Sequence, residues 1–153
     1  MITQLQIIGS IALAMLLCAV IGIERELADK PAGFRTHMLV GGAAALLVGL
    51  SNIIVTTSQH NNTSIQSDPI RVLEAIIAGI SFLGAGTIFR RSDSGVTEGL
   101  TTAASLLFAA GIGASVAVGQ LLLAVCATFL TLLVLRGAGW VEAHWLTKQQ
   151  KQL

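Results

Sequence analysis

Long stretches without a charged residue alternate with short polar segments: Met1 to Ile23, Ala75 to Phe89 and Gly99 to Leu135 contain no Asp, Glu, Lys or Arg. A hydrocarbon core of about 30 Å takes about 20 mostly apolar residues to cross. Lipid offers no water to a bare backbone, and a helix satisfies its own. The pattern therefore predicts an all-α integral membrane bundle of five helices, at about Gln6 to Ile23, Met38 to Val55, Ile70 to Phe89, Thr101 to Val118 and Gln120 to Leu135. The neutral run from Gly99 to Leu135 is too long for one span, and Gly119-Gln120 is its expected break. The third helix has the clearest start, with Asp68 as N-cap and Pro69 as first helical residue. Near its end, Gly84 and Gly86 could interrupt it or let a neighbour pack closely.

Composition agrees. Of 153 residues, 54% are apolar and 11% charged, against roughly 25% charged in a soluble domain. Met1 to Ile23 lacks the basic start of a cleavable signal peptide, so it reads as a retained first span. Lys and Arg favour the cytoplasmic side. Five spans put Arg25, Lys30, Arg35, Arg90, Arg91, Arg136, Lys148 and Lys151 on one side and leave Arg71, the last of nine, on the other. The expected topology has the N-terminus outside and the C-terminus cytoplasmic. Residues 1–136 form the membrane domain and 137–153 a short cytoplasmic tail. Trp140, Val141, His144 and Trp145 of that tail share the face of a short interfacial helix, and no separate soluble domain is expected. Asn61 and Asn62 begin glycosylation-like triplets in the outer connection.

The charge is too balanced for a nucleic-acid partner, with nine bases, eight acids and no basic run. Cys18 and Cys126 sit in separate apolar runs with no C-x-x-C pair, so neither a disulfide framework nor a zinc site is indicated. No Ser-His-Asp grouping or metal-ligand spacing appears, and no enzyme is expected.

The densest polar segment is Gly22 to Val40, with Glu24, Arg25, Glu26, Asp29, Lys30, Arg35 and His37. Glu26 and Lys30 stand in the favourable i,i+4 order. The segment reads either as a self-neutralising topology signal or as a charged docking or gating surface at the inner mouth. Glu74 lies within the third span, three residues after Arg71. It is either that residue's partner or, with Asp68, a candidate metal ligand, because an intramembrane acid is costly unless paired, wet or functional. Thr101 or Thr102 could cap the fourth span, and with Ser105 they could line a vestibule or bond back to the helix.

The segments GIERELADKPAGFRTHMLVGGAAAL, DPIRVLEAIIAGISFLGAGTIFR and GLTTAASLLFAAGIGASVAVG resemble the signature segments of the MgtC/SapB family of bacterial inner-membrane proteins. Together they run from Gly22 to Gly119. The resemblance implies a five-span bundle and a role in adaptation to low magnesium and, for pathogens, in virulence. It also implies a partner such as the membrane ATP synthase. The matching positions are Glu24, Arg25, Glu26, Lys30, Arg35 and His37 in the first segment, Asp68, Arg71, Gly84 and Gly86 in the second, and Thr101, Thr102 and Ser105 in the third. The chain departs from the family at Ala75, Ser81 and Leu107, and many members continue into a soluble domain. The expectation is a non-enzymatic regulator in the lipid bilayer, without a bound cofactor unless magnesium serves as one. The alternative is a small ion or magnesium transporter that works as a homo-oligomer.

Overall fold

The computed structural model describes residues 2–60, 68–90 and 97–149. Five helices account for nearly all of it: α1 (Ile2–Leu27), α2 (Phe34–His60), α3 (Pro69–Thr87), α4 (Leu100–Ala117) and α5 (Leu121–Gln149). Two-residue strands, β1 (Phe89–Arg90) and β2 (Thr97–Glu98), pair antiparallel between α3 and α4, with Phe89 opposite Glu98.

Helices α1 to α4 are long and apolar enough to cross a membrane, whereas the apolar part of α5, Leu121–Gly137, is shorter. Phe82, Leu122 and Leu5 are among many large apolar side chains left on the outside. Such a surface suits lipid and not water.

Each helix stops for a local reason. Asp29 takes a left-handed φ of 54°, and the amides of Asp29 and Lys30 close on the carbonyls of Glu26 and Arg25 at 3.1 and 3.0 Å. This is the double bond of a Schellman stop, and Pro31 prevents continuation. Gly119, at φ 78°, ends α4 in the same way, with its amide on Val116 and that of Gln120 on Ser115. The expected break at Gly119-Gln120 is there. Asp68 caps α3 as expected, its side chain accepting from the Ile70 amide at 2.9 Å.

Four expectations need correction. Helix α3 runs unbroken through Gly84 and Gly86. A Cβ on Gly84 would meet that of Ala103 at 3.2 Å, so this glycine serves close packing on α4. The N-cap of α4 is Gly99, not Thr101 or Thr102. With φ at 95° its backbone passes so near Thr87 that a Cβ would overlap the Thr87 carbonyl, and neither threonine could stand there. Arg71 and Glu74 form no ion pair among the described residues, and both are exposed. Finally, α5 continues through Gly137 to Gln149 as one helix, so the helical part of the tail extends α5. The connection 61–67 with its glycosylation-like triplets lies outside the described residues, as do Arg91 and Lys151.

The core is shared by α1, α2 and α4, with α3 against α4 and α5 at the side. It is built from small residues: Ala14 and Cys18 of α1, Ala44 and Ala45 of α2, and Ala109 and Ala110 of α4. Lipid gives no hydrophobic drive for helix association, so backbones must come close enough for dispersion to act. The closest approach is Gly41 of α2 against Gly113 of α4, where a Cβ on Gly113 would run into the Gly41 carbonyl. Cys18 of α1 closes the third side of this contact.

Candidate functional site

Helix direction determines which polar groups meet. Gly22 lies against Phe34, Cys18 against Gly41 and Ile7 against Gly49, so α1 and α2 run antiparallel. His37 meets Ser105 and Gly41 meets Gly113, so α2 and α4 run parallel. The Cys18 thiol donates to the Ala109 carbonyl at 3.4 Å. Arg25 comes seven residues after Cys18 and Thr102 seven residues before Ala109. In opposed helices both lie about 10 Å from that contact, toward the same end. One end of the three-helix core therefore gathers Glu24, Arg25, His37, Thr102 and Ser105.

Arg25 is only 4% exposed. Its Nε and Nη2 donate to Oε2 and Oε1 of Glu24 at 2.7 and 2.8 Å. Successive helical residues normally point apart, so the two long side chains must bend together to make this two-pronged pair. Desolvating an isolated guanidinium costs several kcal/mol, which a carboxylate in fork-to-fork geometry offsets. Glu24 is thus the counter-charge that lets Arg25 sit inside.

His37 is fully buried and bridges two helices. Its Nδ1 lies 3.0 Å from the Gly33 carbonyl and its Nε2 3.0 Å from Ser105 Oγ. Ser105 Oγ also lies 2.8 Å from the Thr102 carbonyl. The carbonyl of Gly33 can only accept, so Nδ1 carries hydrogen. In neutral His37, Nε2 accepts from the Ser105 hydroxyl. In the doubly protonated ring, Nε2–H donates to Ser105, whose hydroxyl turns to Thr102. In either state both ring nitrogens have a partner without moving a heavy atom. Among the described residues no buried side-chain nitrogen or oxygen lacks a partner.

Glu26 has another task. It is exposed, and its Oε2 accepts from the Phe34 amide at 2.9 Å, capping α2 from the end of α1 rather than pairing with Lys30. Lys30, Arg35 and Thr101 are exposed around the same end. Asp68, Arg71 and Glu74 lie at the far end of α3, away from the cluster, and Gly86 faces open space. Among the described residues no three His, Cys, Asp or Glu side chains converge as metal ligands. The small residues at Gly41 and along Ala109, Gly113 and Ala117 mark packing faces in the sequence, and the structure sets Gly41 against Gly113; that Cys18 joins this contact is not readable from that pattern. The one available signal was helical spacing, since Cys18 lies two turns from Arg25 on the same face.

A model of the MgtC family matches residues 11–144. Protein MgtC of Salmonella typhimurium is 42% identical over 119 residues, covering 78% of this chain and 46% of that protein. Protein SapB of Bacillus subtilis is 36% identical over 115 residues, 74% of this chain and 48% of that one. YhiD of Escherichia coli, named as a candidate magnesium transporter, is 37% identical over 126 residues, 80% of this chain and 56% of that one. The chain spans about half the length of these relatives. No solved structure matches it.

Proposed function

The chain belongs to the MgtC family, and from that premise we propose that it is a non-enzymatic regulator of the bacterial inner membrane that acts in adaptation to low magnesium. It is a multi-pass membrane protein. In this reading the N-terminus is outside and the α1–α2 turn faces the cytoplasm, in keeping with the Lys and Arg bias. The Arg25–Glu24 pair and the His37–Ser105 bridge form the inner mouth, where a membrane partner such as the ATP synthase docks or a gate moves.

The observation that carries this reading is the one-sided cluster. Beyond Ser105 the described core of α1, α2 and α4 is apolar apart from the Cys18 thiol, with Ala44, Val48, Ile112 and Val116 buried. The buried hydroxyls of α5, Thr128 and Thr131, are bonded to carbonyls of their own helix at 2.9 and 2.7 Å. Polar groups confined to one end leave the rest of this core without a polar path, and the exposed Lys30, Arg35 and Thr101 around that end offer the surface for a partner.

The transporter reading is supported by the name given to YhiD, and in this chain it would need an oligomer to build the path. Purified protein in liposomes containing a magnesium indicator and a pH indicator separates the two. The proposal expects no magnesium-dependent or proton-dependent flux, and co-purification of a membrane partner that is lost in Arg25→Gln. Flux above that of empty liposomes would overturn it.

A further inference from the structure

At the other end of the bundle, α2 and α3 border a cleft of 520 Å³, within the range of about 300–1,000 Å³ that small-molecule sites occupy. Its walls are apolar, formed by Leu47, Leu50 and Ile54 of α2 and by Val72, Ala75 and Ile76 of α3, with Ser51 and Arg71 the two polar members. We propose that this cleft binds one anionic phospholipid, with its phosphate on the Arg71 guanidinium and an acyl chain along the α2 wall.

Depth and charge both point to that occupant. Arg71 is the second residue of the apolar span Ile70–Thr87, which is the level of lipid phosphates. From Ile54 to Leu47 the α2 wall descends about 10 Å toward the bilayer middle, the direction an acyl chain takes. Arg71 has no ion pair among the described residues, and Glu74 is not part of the lining. The Ile70 amide at the helix start is already taken by Asp68, so the guanidinium is the anion-attracting group left at the rim. Arginine suits the role because its planar fork matches two phosphate oxygens, and the Ser51 hydroxyl can donate to an ester oxygen.

The test uses the full chain in mild detergent with equal amounts of phosphatidylglycerol and phosphatidylcholine of identical acyl chains, counting bound lipid by native mass spectrometry. A basic side chain at the interface adds about fivefold in affinity for an anionic lipid. Phosphatidylglycerol should therefore be preferred by about that factor, the preference should vanish in Arg71→Gln, and it should return in Arg71→Lys. Ala75→Phe, which fills the cleft, should reduce retention of both lipids. Arg71 lies on the exposed rim, so circular dichroism melting of these Arg71 variants should match that of the unaltered chain. Equal retention of the two lipids, or an unchanged ratio in Arg71→Gln, would overturn the proposal. So would efficient disulfide cross-linking through Leu50→Cys in a Cys126→Ser background, which would show a second copy of the chain seated in the cleft.

Discussion

Replacing Ser105 by Ala removes one hydroxyl from the α2–α4 bridge and almost no volume, so its effect isolates a hydrogen bond. His37 is 0% exposed and Ser105 2%, so water cannot fill in for the missing partner. In soluble proteins a buried group left unpaired costs about 1–3 kcal/mol. Pairs between membrane helices measure less, averaging about 0.6 kcal/mol with a maximum near 1.7, because the chain unfolded in the membrane also finds partners. The ring also keeps its bond to the Gly33 carbonyl, so the lower scale applies. Ser105→Ala should destabilise the bundle by about 1 kcal/mol, and a double-mutant cycle with His37→Leu should give a coupling between about 0.6 and 1.7 kcal/mol. The assay is reversible unfolding in mixed micelles, followed by far-ultraviolet circular dichroism. A coupling of zero within error would show that the bridge contributes nothing and would refute the assignment of His37 as a tie between α2 and α4.

Gly113→Ala should destabilise by about 1–3 kcal/mol or more, since its Cβ would strike the Gly41 carbonyl and rigid backbone cannot yield as a side chain does. Gly111→Ala, with nothing within 4 Å of its added carbon, should be neutral or stabilising by up to about 1 kcal/mol. The same unfolding assay compares them, and equal effects would contradict the packing. Gly84→Leu should damage assembly through Ala103 of α4 while Gly86→Leu remains silent, as read by size-exclusion profiles in detergent. Single cysteines at Lys30 and Thr56 in a Cys126→Ser background should label from the cytoplasmic and outer sides respectively, since buried Cys18 does not react. Labelling of both from one side would refute the topology.

The number, order and approximate ends of the helices were legible because apolar length and the punctuation by Asp68-Pro69 and Gly119 are local signals. The polar grouping was only half legible. A dense charge run announced Glu24, Arg25 and His37, but Glu24 and Arg25 are neighbours whose pairing no helical spacing rule anticipates. The His37–Ser105 bridge depends on which way α2 and α4 run, which is a property of the fold. Glu26 looked like a partner for Lys30, yet the turn at Asp29 carries the chain back so that its carboxylate caps α2. Gly84 and Gly86 looked equivalent, and only the position of α4 separates them. The spacing of Trp140, Val141, His144 and Trp145 suggests a short helix of its own, whereas α5 runs unbroken from Leu121 to Gln149.

The central claim is that the buried Arg25–Glu24 pair is functional machinery rather than a topology signal. Growth of a deletion strain in low magnesium, complemented by Glu24→Gln or Arg25→Gln at matched membrane levels and with cysteine labelling confirming normal orientation, tests it most directly. The account predicts that each variant inserts normally and fails to restore growth. Full rescue by both would contradict it.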